Sequence, residues 1–193
     1  MIDEMTPELM VRYMAQRDFG VYMRYLNPSL EMTSYHRSLY RIVDKFAHGG
    51  IKKLIISASP QTGKSECSSR GLPSFLMGIK PEKNIVIGSY NTDLARTFNE
   101  DVQRKMRSDA YMAVFPGSRI SDGRIDREWR CNADETQVVG YDGGGLRVVG
   151  RGSSLTGRKV DVMIMDDMYK DYNEASSPIV RNKAWRWYTS VVL

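Results

Sequence analysis

Cysteine is scarce. Cys67 and Cys131 are the only two in 193 residues, too few and too far apart for a disulfide framework or a zinc site. That usage agrees with a reducing compartment, and neither thiol is assigned a role. No stretch approaches the roughly 18 consecutive apolar residues that a membrane span needs. The N-terminus, MIDEMTPELM, is acidic where a secretory signal is basic and then apolar. The chain therefore reads as intracellular and unanchored, with no membrane partner. Internal repeats and low-complexity tracts are also lacking. What remains, 41% hydrophobic and 26% charged side chains, is the composition of an ordinary globular protein and excludes a disordered or collagen-like chain. Lysine and arginine number 28 against 23 acids, a net charge of +5 that permits a polyanionic partner without demanding one.

The apolar pattern changes period along the chain. Pro7 to Tyr25 carries Leu9, Met10, Tyr13, Met14, Phe19, Tyr22 and Tyr25 at near-helical spacing and predicts a helical arm. A second helix is predicted from Ser34 to Ala47, stopped by His48-Gly49-Gly50. Lys52 to Ala58, Asn84 to Ser89 and Val160 to Met165 are short apolar runs, the mark of strands buried on both faces of a parallel sheet. Between them lie a crossover helix, Lys64 to Gly78, bent by Gly71 and Pro73, and a longer helix, Thr92 to Arg107. Ile120 to Gly157, rich in glycine and arginine, predicts a β insertion with a hairpin around Asp142 to Gly145. Ser177 caps a helix opened by Pro178, and the final TSVVL reads as the start of a strand, so the chain is expected to stop inside a larger protein.

The strongest chemical signal is Ala58-Ser59-Pro60-Gln61-Thr62-Gly63-Lys64-Ser65, followed by Glu66, between an expected strand and an expected helix. It is the pattern of a phosphate-binding loop with alanine in place of the first glycine. Backbone N–H groups wrap phosphates at a helix N-terminus, Gly63 permits close approach, Lys64 reaches the β and γ oxygens, and the Ser65 hydroxyl helps hold Mg²⁺. Such a loop needs an acid at the end of a neighbouring strand, and VMIMDD supplies two. Asp166 is assigned to the magnesium shell and Asp167 to orienting or deprotonating the attacking water. Tyr35 and His36 have two readings: a ring stacked on adenine with an imidazole reading its edge, or an aromatic packed on the core beside a surface histidine. Arg147, Arg151 and Arg158 are candidates for an arginine that neutralises a neighbouring subunit's γ-phosphate, with Arg158 first. Arg181, Lys183 and Arg186 with Trp185 and Trp187 form a basic aromatic helix open to a nucleic-acid or an interdomain role.

These pieces in this order, YHRSLYRIVDKF, LIISASPQTGKSE, IVIGSYNTDLARTFNEDV, GSSLTGRKVDVMIMDD and NEASSP, resemble the ATPase domain of the large terminase subunit of tailed bacteriophages. The resemblance spans most of Tyr35 to Pro178. It implies a motor that hydrolyses ATP with Mg²⁺ to push double-stranded DNA into a procapsid, as a homo-oligomeric ring on the portal with a small terminase subunit, in the host cytoplasm. It also implies weak turnover by the chain in isolation, as a monomer. The nuclease domain that usually follows, and the coupling motif on the strand after the acids, are absent from this chain, so DNA cleavage is not expected of it alone. Many relatives carry aspartate then glutamate where Asp166-Asp167 stands here. The shorter acid sits about 1.5 Å further from the water on an unchanged backbone, which makes Glu174 the substitute base. The segment LTGR resembles the region that presents the family's arginine in trans, which puts Arg158 first.

The expected fold is therefore an α/β P-loop NTPase of the RecA-like (ASCE) kind: a central, mostly parallel sheet flanked by helices, with a helical arm and a β insertion. Residues 1–50 form the arm and an adenine-side helix, and 51–193 the core. Rival readings are a helicase or recombination ATPase, a non-catalytic nucleotide-binding adaptor and, less favoured for want of a lid, a small-molecule kinase.

Overall fold

Thr6, Asp18 and Thr33 each begin a helix by accepting a hydrogen bond from the backbone N–H three residues on, which satisfies an otherwise orphaned donor. They set α1 (Pro7–Ala15), α2 (Phe19–Leu26) and α3 (Ser34–Ala47). The single helix expected over Pro7 to Tyr25 is thus two, because the Asp18 carboxylate caps the Val21 N–H at 2.8 Å and starts a new one.

The computed structural model describes residues 6–155 and 159–192. Its contacts group the chain into two units: one from the chain up to Pro81 with Val102–Ile120, the other from Glu82–Asp101 with the chain from Ser121 onward.

The first unit is helical. Besides α1 to α3 it holds a π-helical stretch, Glu66–Gly71, running into α4 (Leu72–Ile79), and further on α6 (Asp109–Val114). Its core is aromatic: Phe19, Tyr22, Tyr40, Phe75, Tyr111 and Phe115 meet at centroid separations of 5.1 to 6.4 Å. Two of its hydroxyls are paired: Tyr22 donates to Ser74 Oγ at 2.7 Å, and Tyr111 lies 3.1 Å from Ser118 Oγ. Burial raises the Tyr22 phenol well above its ordinary range. Gly78 lies under the Phe115 ring, where a Cβ would come within 2.4 Å of Cδ2. Gly78→Ala is therefore expected to destabilise the protein by about 1 to 3 kcal/mol in denaturant titration, with Phe115→Leu restoring part of the loss.

The second unit carries the sheet, four strands in the order β2-β3-β1-β4, with β1 (Asn84–Ser89), β2 (Glu135–Gln137), β3 (Gly145–Gly150) and β4 (Val162–Met165). β1 pairs in parallel with both β3 and β4, and β2 runs antiparallel to β3. Val86, Val149, Leu155 and Trp187 form a core, with Met163 and Met168 packed against it. Gly88 admits the Trp187 ring, which would lie 3.3 Å from a Cβ there. α5 (Thr92–Met106) begins in this unit and ends in the other, while α7 (Tyr172–Ser176) and α8 (Pro178–Trp187) follow β4. Asp161 joins β4 to β1, accepting from Asn84 N at 3.0 Å and pairing with Lys83 at 3.3 Å and Lys159 at 3.1 Å.

Burial raises the affinity of Asp161 for a proton, but the Asn84 amide and the two lysines outweigh it and bring its pKa to about 2. A carboxyl depressed in the folded state stabilises the fold above its unfolded pKa of about 3.9 and loses that contribution as pH falls through the folded value. Asp161→Asn is therefore expected to cost on the order of 1 to 2 kcal/mol at neutral pH, a difference that vanishes between about pH 4 and pH 2 in acid-unfolding curves.

Four sequence expectations are corrected. Lys52 to Ala58 is not a strand buried on both faces: it has no strand partner, and Ile55 is 94% exposed. Its apolar run is only Leu54-Ile55-Ile56, with lysines before it and a serine after it, and all four strands of the described residues belong to the other unit. The glycine-rich region is not a separate insertion, since β3 is an inner strand paired with β1 and only the three-residue β2 is antiparallel. β4 begins at Val162 rather than Val160, with Met165 45% exposed, because Asp161 is held by its ion pairs at the strand entrance. Finally, Tyr188–Val192 continues α8 as a π-helical turn instead of opening a strand. There the hydroxyls of Thr189 and Ser190 bond back to helix carbonyls at 3.0 and 2.6 Å. The α/β class and the mainly parallel pairing agree with expectation. No helix among the described residues is long and apolar enough to cross a membrane.

Candidate functional site

In the first unit, the chain from Ala58 to Ser65 makes a tight loop that runs into a helical turn. Gln61 (φ 61°) and Gly63 (φ 79°) both lie in the left-handed region, which glycine adopts freely and glutamine does not. Thr62 Oγ1 donates to Ser59 O at 2.7 Å, closing the loop on itself. The Gly63 carbonyl accepts Cys67 N at 3.0 Å, so the helical ladder starts at the glycine and the loop amides precede it. Lys64 folds back across the loop, its ammonium donating to Ala58 O at 2.8 Å and Ser59 O at 3.2 Å. Two neutral carbonyls are weak partners for a full charge, and an anionic oxygen is a stronger one.

Around the loop, His36 lies close to Gly63, where a Cβ would be 3.6 Å from Nε2 and from nothing else within 4 Å. The other ring nitrogen, Nδ1, is 2.9 Å from Thr33 Oγ1, the cap of α3, which fixes the ring. The Tyr35 ring meets His36 edge-on at 5.5 Å, and its hydroxyl is buried with no hydrogen-bond partner. Glu66 pairs with Lys105 at 2.6 Å and lies 3.9 Å from Arg70. Beneath it the Cys67 thiol is pushed up to about 12 by burial and then by the Glu66 charge. The Tyr40 phenol is likewise pushed up to about 12 by burial and then by Cys67 and Glu66. Both are inert at neutral pH. The structure therefore brings Tyr35, His36 and Glu66 to the loop's surroundings, with Ser65 carrying no side-chain capping bond at the helix start.

In the second unit, β4 delivers Asp166 and Asp167 at its carboxyl end, where ligands of parallel sheets bind. Asp166 N donates to Gly88 O at 3.0 Å, the last rung of the ladder. Asp167 then turns into the left-handed region (φ 47°), with its side chain exposed. That costly conformation is held from several sides. The Asp167 carbonyl accepts Tyr90 N at 2.9 Å and Ser89 Oγ at 3.3 Å, while Met168 O accepts Arg151 Nη1 at 2.7 Å. Arg151 Nη2 also pairs with Glu174 Oε2 at 3.0 Å, and the same oxygen accepts Lys170 N at 3.1 Å. The Arg151 side chain is 16% exposed and its guanidinium is 5.5 Å from the Tyr169 ring centre.

Arg151 is thus engaged within its own chain. Glu174 is held below the usual carboxylate range by the Lys170 amide and then by Arg151, which makes it a poor proton acceptor. Arg147 is also committed, 2.5 Å from Glu135, which further pairs with Arg130 at 3.0 Å. Burial works to raise the Glu135 pKa, but the two guanidiniums keep it below its ordinary value. Arg158 lies outside the described residues. Among the described residues no three His, Cys, Asp or Glu side chains are grouped to hold a metal ion. Thr33 and Lys105 are not legible as site residues, although Thr33, three residues before His36, carries the signal of a helix cap; Arg151 and Glu174 are legible one by one, but their pairing is not.

A family model described as terminase large subunit, T4likevirus-type, N-terminal, matches residues 55–193. Neither the curated proteins nor the solved structures offer a match.

Proposed function

Because the chain belongs to the T4-like terminase large subunit family, in its N-terminal part, and that family carries a DNA-packaging role, we propose that it is an ATP-hydrolysing motor that drives double-stranded DNA into a procapsid. The observation that carries the reading is the Ala58–Ser65 loop, which bends through two left-handed residues and closes the Lys64 ammonium over its own carbonyls.

The residues present fit a nucleoside triphosphate. The loop amides and Lys64 bind its phosphates, Gly63 brings no side chain between them and His36, and His36 and the unpartnered Tyr35 hydroxyl supply polar groups nearby. Ser59, Pro60, Gln61, Thr62 and Glu66 complete the binding stretch. Ser65 and Asp166 would hold Mg²⁺, a small protein donor set for an ion that keeps waters and shares the substrate's phosphates. Bound there, the ion would neutralise charge on the phosphate oxygens. Asp167 orients the attacking water and takes its proton. Glu174, engaged by Arg151 and the Lys170 amide, holds the turn beneath Asp167 and is not the first choice of base. With Arg147 and Arg151 bound in cis, Arg158 is the arginine offered to a neighbouring subunit in a ring.

Double-stranded DNA, the portal of the procapsid and a small terminase subunit are the partners this role brings, and the host cytoplasm is its place. The test is a defined packaging reaction with procapsids, ATP and an intact linear duplex. DNA should become nuclease-protected at the expense of ATP without strand separation. Unwinding of a forked duplex in place of protection would favour a helicase. Packaging that survives Asp167→Asn would favour a non-catalytic adaptor.

A further inference from the structure

The tryptophans of α8 divide by environment. Trp187 is buried and donates its indole N–H to Ser153 O at 2.7 Å, within the core with Val86 and Val149. Trp185, two residues earlier, is 64% exposed, and its ring lies 5.5 Å from that of Tyr188. Arg181, Lys183 and Arg186, all exposed, are spread around the solvent-facing half of the same helix. None of these three side chains has an ion-pair or hydrogen-bond partner among the described residues, although most arginines described above do. From Pro178 to Val192 there is no acidic residue. The nearest acids on α7 and its cap are spent, Glu174 on Arg151 and Asp171 in accepting Glu174 N at 2.9 Å. Ile179, 70% exposed, adds an uncovered apolar side chain.

We propose that this face of α8 is a docking surface for the phosphate backbone of duplex DNA. Three unpaired cations on one helix, with a planar aromatic among them, match a polyanion. Ten helical residues span about 15 Å, over which one DNA strand presents roughly four phosphates. Two copies of this chain meeting face to face across a two-fold axis would set cations against cations, so a self-complementary protein contact is disfavoured. The inference rests on the packaging role and names a surface for the substrate of that role. It does not depend on nucleotide chemistry.

The experiment uses the whole chain without nucleotide, a random-sequence 30-base-pair duplex and a salt titration. Trp185 reports directly: duplex binding should quench its emission, and Trp185→Phe should remove that change. Replacing Arg181, Lys183 and Arg186 together by alanine should weaken binding at least tenfold at low salt. It should also lower the slope of log affinity against log salt by roughly 2 to 3, since each phosphate contact contributes about 0.9. Thermal unfolding should be unchanged, because all three side chains are exposed. Binding by the triple variant with the wild-type affinity and slope would overturn the proposal. So would concentration-dependent self-association of the wild type that the triple variant abolishes, which would assign the face to a protein. Failure of the ATPase reading would leave these measurements untouched, so the two are separable.

Discussion

Lys64→Ala is expected to lower ATP turnover in the assembled motor by about 10² to 10³, the usual effect of removing one preorganised charge partner from a developing anion, and to abolish packaging. The Lys64 ammonium is bound to the Ala58 and Ser59 carbonyls, two contacts within the loop itself. Its loss should therefore leave thermal stability nearly unchanged, so inactivity would not reflect unfolding. Lys64→Arg should fail almost as badly: a planar, forked guanidinium cannot replace a compact ammonium folded under so short a loop. Steady-state turnover on portal-bound complexes, beside melting curves of the free protein, checks both statements.

The second large effect separates the groups at the acidic turn. Asp167→Asn is expected to lower turnover by about 10² to 10⁴, with nucleotide affinity little changed, because its exposed carboxylate makes none of the bonds that hold the turn. Arg151→Ala and Glu174→Gln should each lower turnover by a smaller and similar factor. Together they should cost no more than either alone, because they break one linkage, Met168 O to Arg151 to Glu174 to Lys170 N. Were Glu174 the base, Glu174→Gln would match Asp167→Asn and would not be masked by Arg151→Ala. Hydrogen exchange gives a readout independent of activity. The Lys170 amide should lose protection in Arg151→Ala and Glu174→Gln but keep it in Asp167→Asn.

Where local sequence alone sets the outcome, the sequence was readable. α3 runs over Ser34–Ala47 as its apolar face and its glycine stop required, β1 over Asn84–Ser89, and α5 to within a residue of expectation. Ser177 and Pro178 open α8 as a cap and a first-turn proline should. Leu54-Ile55-Ile56 has the composition of a strand but forms none, because a strand is completed by partners and the described strands pair among themselves in the other unit. The valines of TSVVL suggested a strand, but Thr189 and Ser190 bond back to the preceding helix.

The site divides the same way. The loop and the acid pair stood out as strings, because phosphate chemistry fixes both residue type and spacing. The side chains that pair with Arg147 and Arg151 lie 12 and 23 residues away in sequence, and nothing local marks them. An arginine near an active strand looks the same whether it serves a neighbour or holds its own chain. Only the guanidinium contacts decide.

The central claim is that residues 58–66 bind the phosphates of a nucleotide. Amide hydrogen exchange of the protein with and without a non-hydrolysable ATP analogue and Mg²⁺ tests it most directly. The account predicts that added nucleotide protects the amides of Gln61 to Glu66, and that Lys64→Ala removes the change. Protection confined to other segments, or unaltered by Lys64→Ala, would contradict it.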